Sequence, residues 1–185
     1  VEDVQLRKTP RSSRPFGWGA GIVALGVGLA SVIGGLWGLT RPGYTGTVEG
    51  GNARIDPVAN PDNVEFISFA GFAGLTVVLG MIIGVVTFAS ATQRAGLRKM
   101  LFAVVVTAFS SWTLYIMGTW SAELLHGVSD PHSLTEGETI TFVPVLSPGP
   151  AWLAGPFVAA LAYWVGLVLS SVGDASPRQA TEYDE

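Results

Sequence analysis

No cysteine occurs among the 185 residues, which excludes disulfides, thiolate metal sites and a cysteine nucleophile, and leaves any haem to a ligand other than cysteine sulfur. Charge is scarce as well. Charged residues make up 13% of the chain, where soluble domains carry about 25%. Hydrophobic residues reach 49% and the mean hydropathy is +0.46, so there are too few charges to cover a globule in water. The 10 basic residues are outnumbered by 14 acidic ones and never form a run interleaved with aromatics, which argues against a nucleic-acid partner.

The scarcity is uneven, and its pattern divides the chain. No Asp, Glu, Lys or Arg occurs from Pro15 to Thr40, from Phe66 to Gln93, from Met100 to Ala122, or from Thr139 to Gly173. Each stretch can hold the roughly 20 apolar residues that cross a hydrocarbon core about 30 Å thick. Membrane spans are therefore predicted at about 16–39, 66–91, 101–124 and 152–172; the last starts late because Pro144, Pro148 and Pro150 do not fit inside a regular helix. The expected fold class is all-α membrane, a four-transmembrane-helix bundle occupying 16–173, with loops 40–65 and 125–151 on one side. A cleaved signal peptide explains the first stretch less well, because its apolar region exceeds the roughly 7 to 15 residues of a signal sequence.

Lys and Arg set the expected orientation. Arg7, Lys8, Arg11 and Arg14 lie in the tail 1–15, Arg94, Arg98 and Lys99 in the turn between the second and third spans, and Arg178 in the acidic tail 174–185, which reads as disordered. The remaining loops hold only Arg41 and Arg54. The positive-inside rule then places both termini in the cytoplasm and the two longer loops outside. The same basic segments would attract anionic lipid. Aromatic residues Phe16, Trp18, Trp37, Tyr44, Trp120 and Trp152 lie near span ends, as interfacial rings do, whereas Trp112, Tyr115 and Trp164 are expected deeper, with polar hydrogens bonded inside the bundle. In the outer loops, residues 44–48 and 53–55 flank the turn-rich Glu49-Gly-Gly-Asn52, and 139–143 alternates, so a small β-hairpin with an added strand is expected there.

Small residues recur at four-residue spacing. Gly26, Ala30, Gly34 and Gly38 share a face of the first span, Gly80 and Gly84 of the second; Ala151, Gly155 and Ala159 form one row in the fourth, and Ala162, Gly166 and Ser170 another. Such rows let helix backbones approach where lipid removes the hydrophobic driving force. They are expected to pack the helices of one chain, with contact to another subunit as the alternative.

No span has an interior charge, whereas ion and proton paths usually depend on such groups. Thr107, Ser110, Ser111, Thr113 and Thr119 of the third span offer a hydroxyl seam, which bonds to helix carbonyls explain more simply. Glu123, His126, Asp130 and His132 bring nitrogen and oxygen ligands suited to zinc or copper, at a spacing that matches no established metal motif. Ser121 near His126 and Asp130 lacks a nucleophile elbow, and Gly17, Gly19 and Gly21 lack the strand and acidic residue of a dinucleotide site.

Gly34-Gly-Leu-Trp-Gly-Leu-Thr-Arg-Pro42, Val64-Glu-Phe-Ile-Ser-Phe-Ala70, Leu146-Ser-Pro-Gly149 and the segment from Leu153 to Trp164 together resemble an actinobacterial family of four-span membrane proteins of unknown function. The resemblance implies a bundle of four helices with an outer loop domain and supplies no activity. The residues point to a non-catalytic component without cofactor, partnered by membrane lipid and by other membrane proteins or itself, as an accessory subunit of an envelope or respiratory assembly. The alternatives are a small oligomeric transporter using the hydroxyl seam and, third, an extracytoplasmic enzyme or metal-binding protein.

Overall fold

The computed structural model describes residues 15–50, 52–55, 60, 63–91, 96–126 and 135–174. The chain is mostly helical. Its α-helices are α1 (Pro15–Leu39), α2 (Val64–Ala89), α3 (Leu97–His126) and α4 (Ala154–Asp174). Among the described residues four segments are long and apolar enough to cross a membrane: Gly17–Leu39, Val64–Ala89, Leu97–Leu125 and Gly149–Val172. Large apolar side chains such as Val32, Leu36, Val105, Phe157 and Leu169 face outward from the bundle. Water would penalise so much exposed apolar surface, and lipid does not.

Three helix starts differ from the sequence expectation by two residues or more. Helix α3 begins at Leu97 rather than 101, taking Arg98 and Lys99 into its first turn, where the Lys99 ammonium lies 5.2 Å from the centre of the Trp18 ring. The long lysine stem lets a cation sit at a helix end while its head stays near the interface. Helix α2 begins at Val64 and places Glu65 in its first turn, where the helix dipole favours an acid. The fourth span opens with a 3-10 turn at Gly149–Leu153, with Pro150 in its first positions, so Ala151 belongs to that turn and not to the α4 row.

The helices make their most extensive contacts in the pairs α1 with α3 and α2 with α4. Both pairs run parallel. A Cβ added to Gly26 would meet Ser110 and Val106, one on Gly34 would meet Leu114, and one on Gly38 would meet Gly118 and Ser121. The partners advance along α3 as the glycines advance along α1. In the second pair Gly80 faces Gly155, Gly84 faces Ala159 and Ala162, and Gly166 faces the Phe88 ring. A Cβ on Gly34 would lie 2.5 Å from the Leu114 carbonyl oxygen, so backbone rests on backbone there.

At one end of the bundle the chain adds β1 (Tyr44–Glu49), β2 (Asn52–Ile55) and β3 (Thr139–Phe142). They form an antiparallel sheet of order β2-β1-β3, with Gly46 opposite Ile55 and Glu49 opposite Asn52 on one side of β1, and Tyr44 opposite Phe142 on the other. Gly50, with φ 60°, supplies the left-handed turn between β1 and β2. Asn60 extends the β2 side by pairing its side-chain amide with Thr45, accepting from the Thr45 N–H at 2.6 Å and donating to the Thr45 carbonyl at 2.8 Å.

Candidate functional site

Below the sheet, large rings replace glycines as the packing unit. Phe72 of α2 is fully buried and lies within 5.3 to 6.2 Å, ring centre to ring centre, of Trp37 in α1, Tyr115 in α3 and Trp152 in the 3-10 turn. The Trp37 ring fits because Gly71 and Gly118 carry no side chain beside it: a Cβ on Gly118 would lie 2.5 Å from the ring. Tyr115 donates its hydroxyl to the Leu146 carbonyl at 3.3 Å, which fastens the segment before the fourth span to this cluster.

Arg41 sits on top of that floor. Pro42 stops α1 shortly after Leu39, and the chain turns there through bonds from the Thr40 and Arg41 N–H groups to the Trp37 and Gly38 carbonyls. The Arg41 guanidinium lies 5.3 Å above the Trp37 ring and donates through Nη2 to the Pro144 carbonyl at 2.8 Å. The residue is only 4% exposed, and its Nε finds no partner in the protein. Burial pulls the guanidinium pKa below the ordinary arginine value, with Tyr115 acting in the opposite direction. It remains a cation at neutral pH.

Arg41 borders a cavity of about 330 Å³ between the end of α1, the first turns of α2 and residues 144–147. Glu65, Ser68, Phe66, Phe69 and Leu146 line it as well. Ser68 is 1% exposed and its Oγ also has no partner in the protein. Glu65 is exposed and does not pair with Arg41; the ion pair found among the described residues joins Arg54 to Glu49 at 2.8 Å, on the sheet. Arg41 and Ser68, each with a buried donor left unpaired, and the exposed Glu65 thus line one recess.

The sequence-selected residues fall elsewhere. Gly26, Ala30, Gly34, Gly38, Gly80, Gly84, Gly155, Ala159 and Gly166 lie between helices of the one chain, away from the cavity. In α3, Thr107 and Thr113 donate to the carbonyls four residues back, and Ser121 to Gly118. Thr113 is only partly buried and its bond to Phe109 is exposed, so it is not part of an interior seam. Ser110, Ser111 and Thr119 keep buried hydroxyls without partners, and Ser110 and Ser111 fill the space that side chains on Gly26 and Gly155 would need. Trp112 and Trp164 are half exposed and point away from the bundle, contrary to the expectation of bonded indoles inside it; a lipid-facing ring needs no such bond.

Glu123 is exposed near the end of α3, and His126 closes that helix. Asp130 and His132, with the tails 1–14 and 175–185 and the turn residue Arg94, lie outside the described residues. Among the described residues no group of three His, Asp or Glu side chains is placed to hold a metal. Arg41, Glu65 and Ser68 escaped the sequence reading as a site because they are separated by a loop and a helix turn, and Pro144 lies 103 residues from Arg41. The signal that could have found them is a lone arginine directly before the proline that ends a span. Comparison of the chain with protein-family models, with curated proteins and with solved structures gives no match.

Proposed function

We propose that the protein is a non-catalytic plasma-membrane component that engages a partner at its sheet end, as an accessory subunit of a membrane or envelope assembly. The basic segments orient that end outward and both termini inward. The observation that carries the binding role is the recess under the sheet, where Arg41 and Ser68 hold buried donors with no partner in the chain. Buried donors are normally satisfied; unlike the unpaired hydroxyls of Ser110 and Ser111, which are packed between helices, these two belong to residues that line an open cavity beside a carboxylate, and that supports contact with something outside the chain. The helix rows support an accessory role rather than a conduit: Ser110 and Ser111 are packed against Gly26 and Gly155, which weighs against transport along α3.

Two experiments test the reading. Because the chain has no cysteine, single cysteines can report topology directly. A membrane-impermeant maleimide is expected to label Glu136→Cys in intact cells and to spare Arg94→Cys until the cells are opened; the reverse pattern overturns the orientation. A tagged chain extracted from its native membrane in mild detergent is expected to carry a stoichiometric protein partner, lost when the sheet end is altered. Recovery as a lone monodisperse monomer overturns the accessory role.

A further inference from the structure

The recess beneath the sheet has the chemistry of a particular ligand. A guanidinium offers five N–H donors in a planar fork, which matches the two oxygens of a carboxylate or phosphate. Arg41 uses Nη2 on the Pro144 carbonyl and leaves Nε without a protein partner. An isolated buried cation is costly, and one carbonyl with one ring face is poor compensation. Ser68 lines the same cavity, and its buried hydroxyl is likewise unsatisfied. One cation and one hydroxyl suit a monoanionic oxyanion better than a dianion.

The acidic rim narrows the class further. Glu65 lines the cavity, is exposed, and makes no ion pair with Arg41 although the two charges share the recess. A simple anion would be repelled by that carboxylate, whereas a group with an ammonium beside its oxyanion would meet both charges. The surroundings are apolar and open to the side: Phe66 is 65% exposed and Val145 89% exposed. Both line the cavity where the first and second spans end, the level at which lipid headgroups lie. A volume near 330 Å³ accommodates a headgroup and leaves acyl chains outside, along Phe66 and Val145.

We propose that this recess binds a zwitterionic phosphoethanolamine group, its phosphate held by Arg41 and Ser68 and its ammonium by Glu65. The group is a phosphodiester monoanion, supplied by a membrane lipid or by water-soluble glycerophosphoethanolamine. The inference rests on the preceding reading only in taking the sheet end as the binding end; it needs no protein partner.

The test uses the purified, delipidated full chain in a non-ionic detergent, followed by native mass spectrometry. Titration with dioleoylphosphatidylethanolamine is expected to give a saturable one-to-one adduct, and dioleoylphosphatidylglycerol a weaker one. Water-soluble glycerophosphoethanolamine, which carries the same phosphodiester monoanion, separates the sources: much weaker binding than the lipid assigns the membrane, and equal binding assigns the soluble molecule. Arg41→Met is expected to weaken the adduct at least about tenfold, and Ser68→Ala about threefold to tenfold, as loss of hydrogen bonds to a charged group does. Glu65→Gln is expected to abolish the preference over phosphatidylglycerol while phosphatidylglycerol binding persists. Absence of any saturable adduct overturns the proposal, as does binding that Arg41→Met leaves unchanged or a preference that survives Glu65→Gln. A chain that still copurifies with its protein partner but binds no phosphoethanolamine sinks this inference alone; the converse sinks only the accessory role.

Discussion

The middle of the bundle and its sheet end solve the same packing problem with opposite materials. In the middle, parallel helices meet through glycines, so that Gly34 lies against the Leu114 backbone and Gly80 against the Gly155 carbonyl. At the sheet end, Trp37, Phe72, Tyr115 and Trp152 meet ring to ring, and a cavity opens above them. Backbone-on-backbone contact leaves no side chain free to vary and no space to hold a ligand. Ring-on-ring contact ties four elements together while leaving room for a polar recess. The difference separates the part of the chain that sets the fold from the part that can recognise something.

The sharpest way to break that comparison is to place bulk in the middle. Gly34→Leu sets a side chain where Leu114 backbone atoms stand 2.5 to 3.1 Å from a Cβ, and backbone cannot rotate away as a flexible side chain can. A loss of about 3 kcal/mol or more is expected, read as loss of the monodisperse folded species in detergent. Gly28 provides the control, because a Cβ there meets nothing within 4 Å. Gly28→Ala should leave thermal stability unchanged or raise it by up to about 1 kcal/mol, since alanine restricts the unfolded chain and favours helix. Equal behaviour of the two variants would remove the claim that α1 and α3 meet along that row.

Phe72→Ala attacks the sheet end by the same logic with a smaller expected cost. It removes the ring that touches Trp37, Tyr115 and Trp152, for a loss of about 3 kcal/mol or somewhat less where neighbours collapse into the gap. Because Trp37 is the floor under Arg41, the variant should also change tryptophan fluorescence and loosen the recess. Thermal unfolding with fluorescence detection checks both effects. An unchanged melting temperature would mean that the aromatic cluster is not what fastens this end.

The contrast also marks how far the sequence could be read. Gaps in charge revealed the four apolar helices, because lipid tolerates few ionised groups and each gap exceeds the length of a crossing. The ends were less legible: Arg98 and Lys99 look like turn residues until Trp18 is seen beneath the Lys99 ammonium. The rows of small residues stand out in the sequence by spacing alone, but which row meets which is a matter of three-dimensional arrangement. Helices adjacent in sequence run antiparallel, yet the glycine rows join the parallel pairs α1 with α3 and α2 with α4. Arg41 counted in the sequence as one of two basic residues in the outer loops. Its burial depends on a carbonyl 103 residues away and on a ring one helical turn back, and no local pattern encodes the first of these.

Arg41→Met sharpens the comparison by separating stability from binding. A buried guanidinium with an unpartnered Nε costs desolvation that one carbonyl bond and one ring contact do not offset. Its replacement by an apolar side chain of similar length is expected to leave stability unchanged or raise it by up to about 2 kcal/mol, even as the recess loses its cation. A melting temperature that falls by several degrees would instead make Arg41 a structural anchor for the 144–147 segment, with the Pro144 bond as its purpose.

The smallest effect belongs to the arginine on the sheet. Arg54 pairs with Glu49 at 2.8 Å across the hairpin, but the side chains are 76% and 57% exposed. Glu49 raises the Arg54 pKa by hydrogen bonding and then by charge. A raised cationic pKa lends stability at all pH values below the ordinary arginine range, lost only as pH rises through the folded value, so no titration near neutrality will reveal it. Water and salt screen such a pair, and Arg54→Ala should leave both unfolding and ligand binding unchanged at moderate ionic strength. Arg41 and Arg54 have the same chemistry and lie on the same side of the bundle. If Arg54→Ala weakened phosphoethanolamine binding as much as Arg41→Met, net positive charge at that end would account for the binding, and the buried geometry of Arg41 would not be needed to explain it.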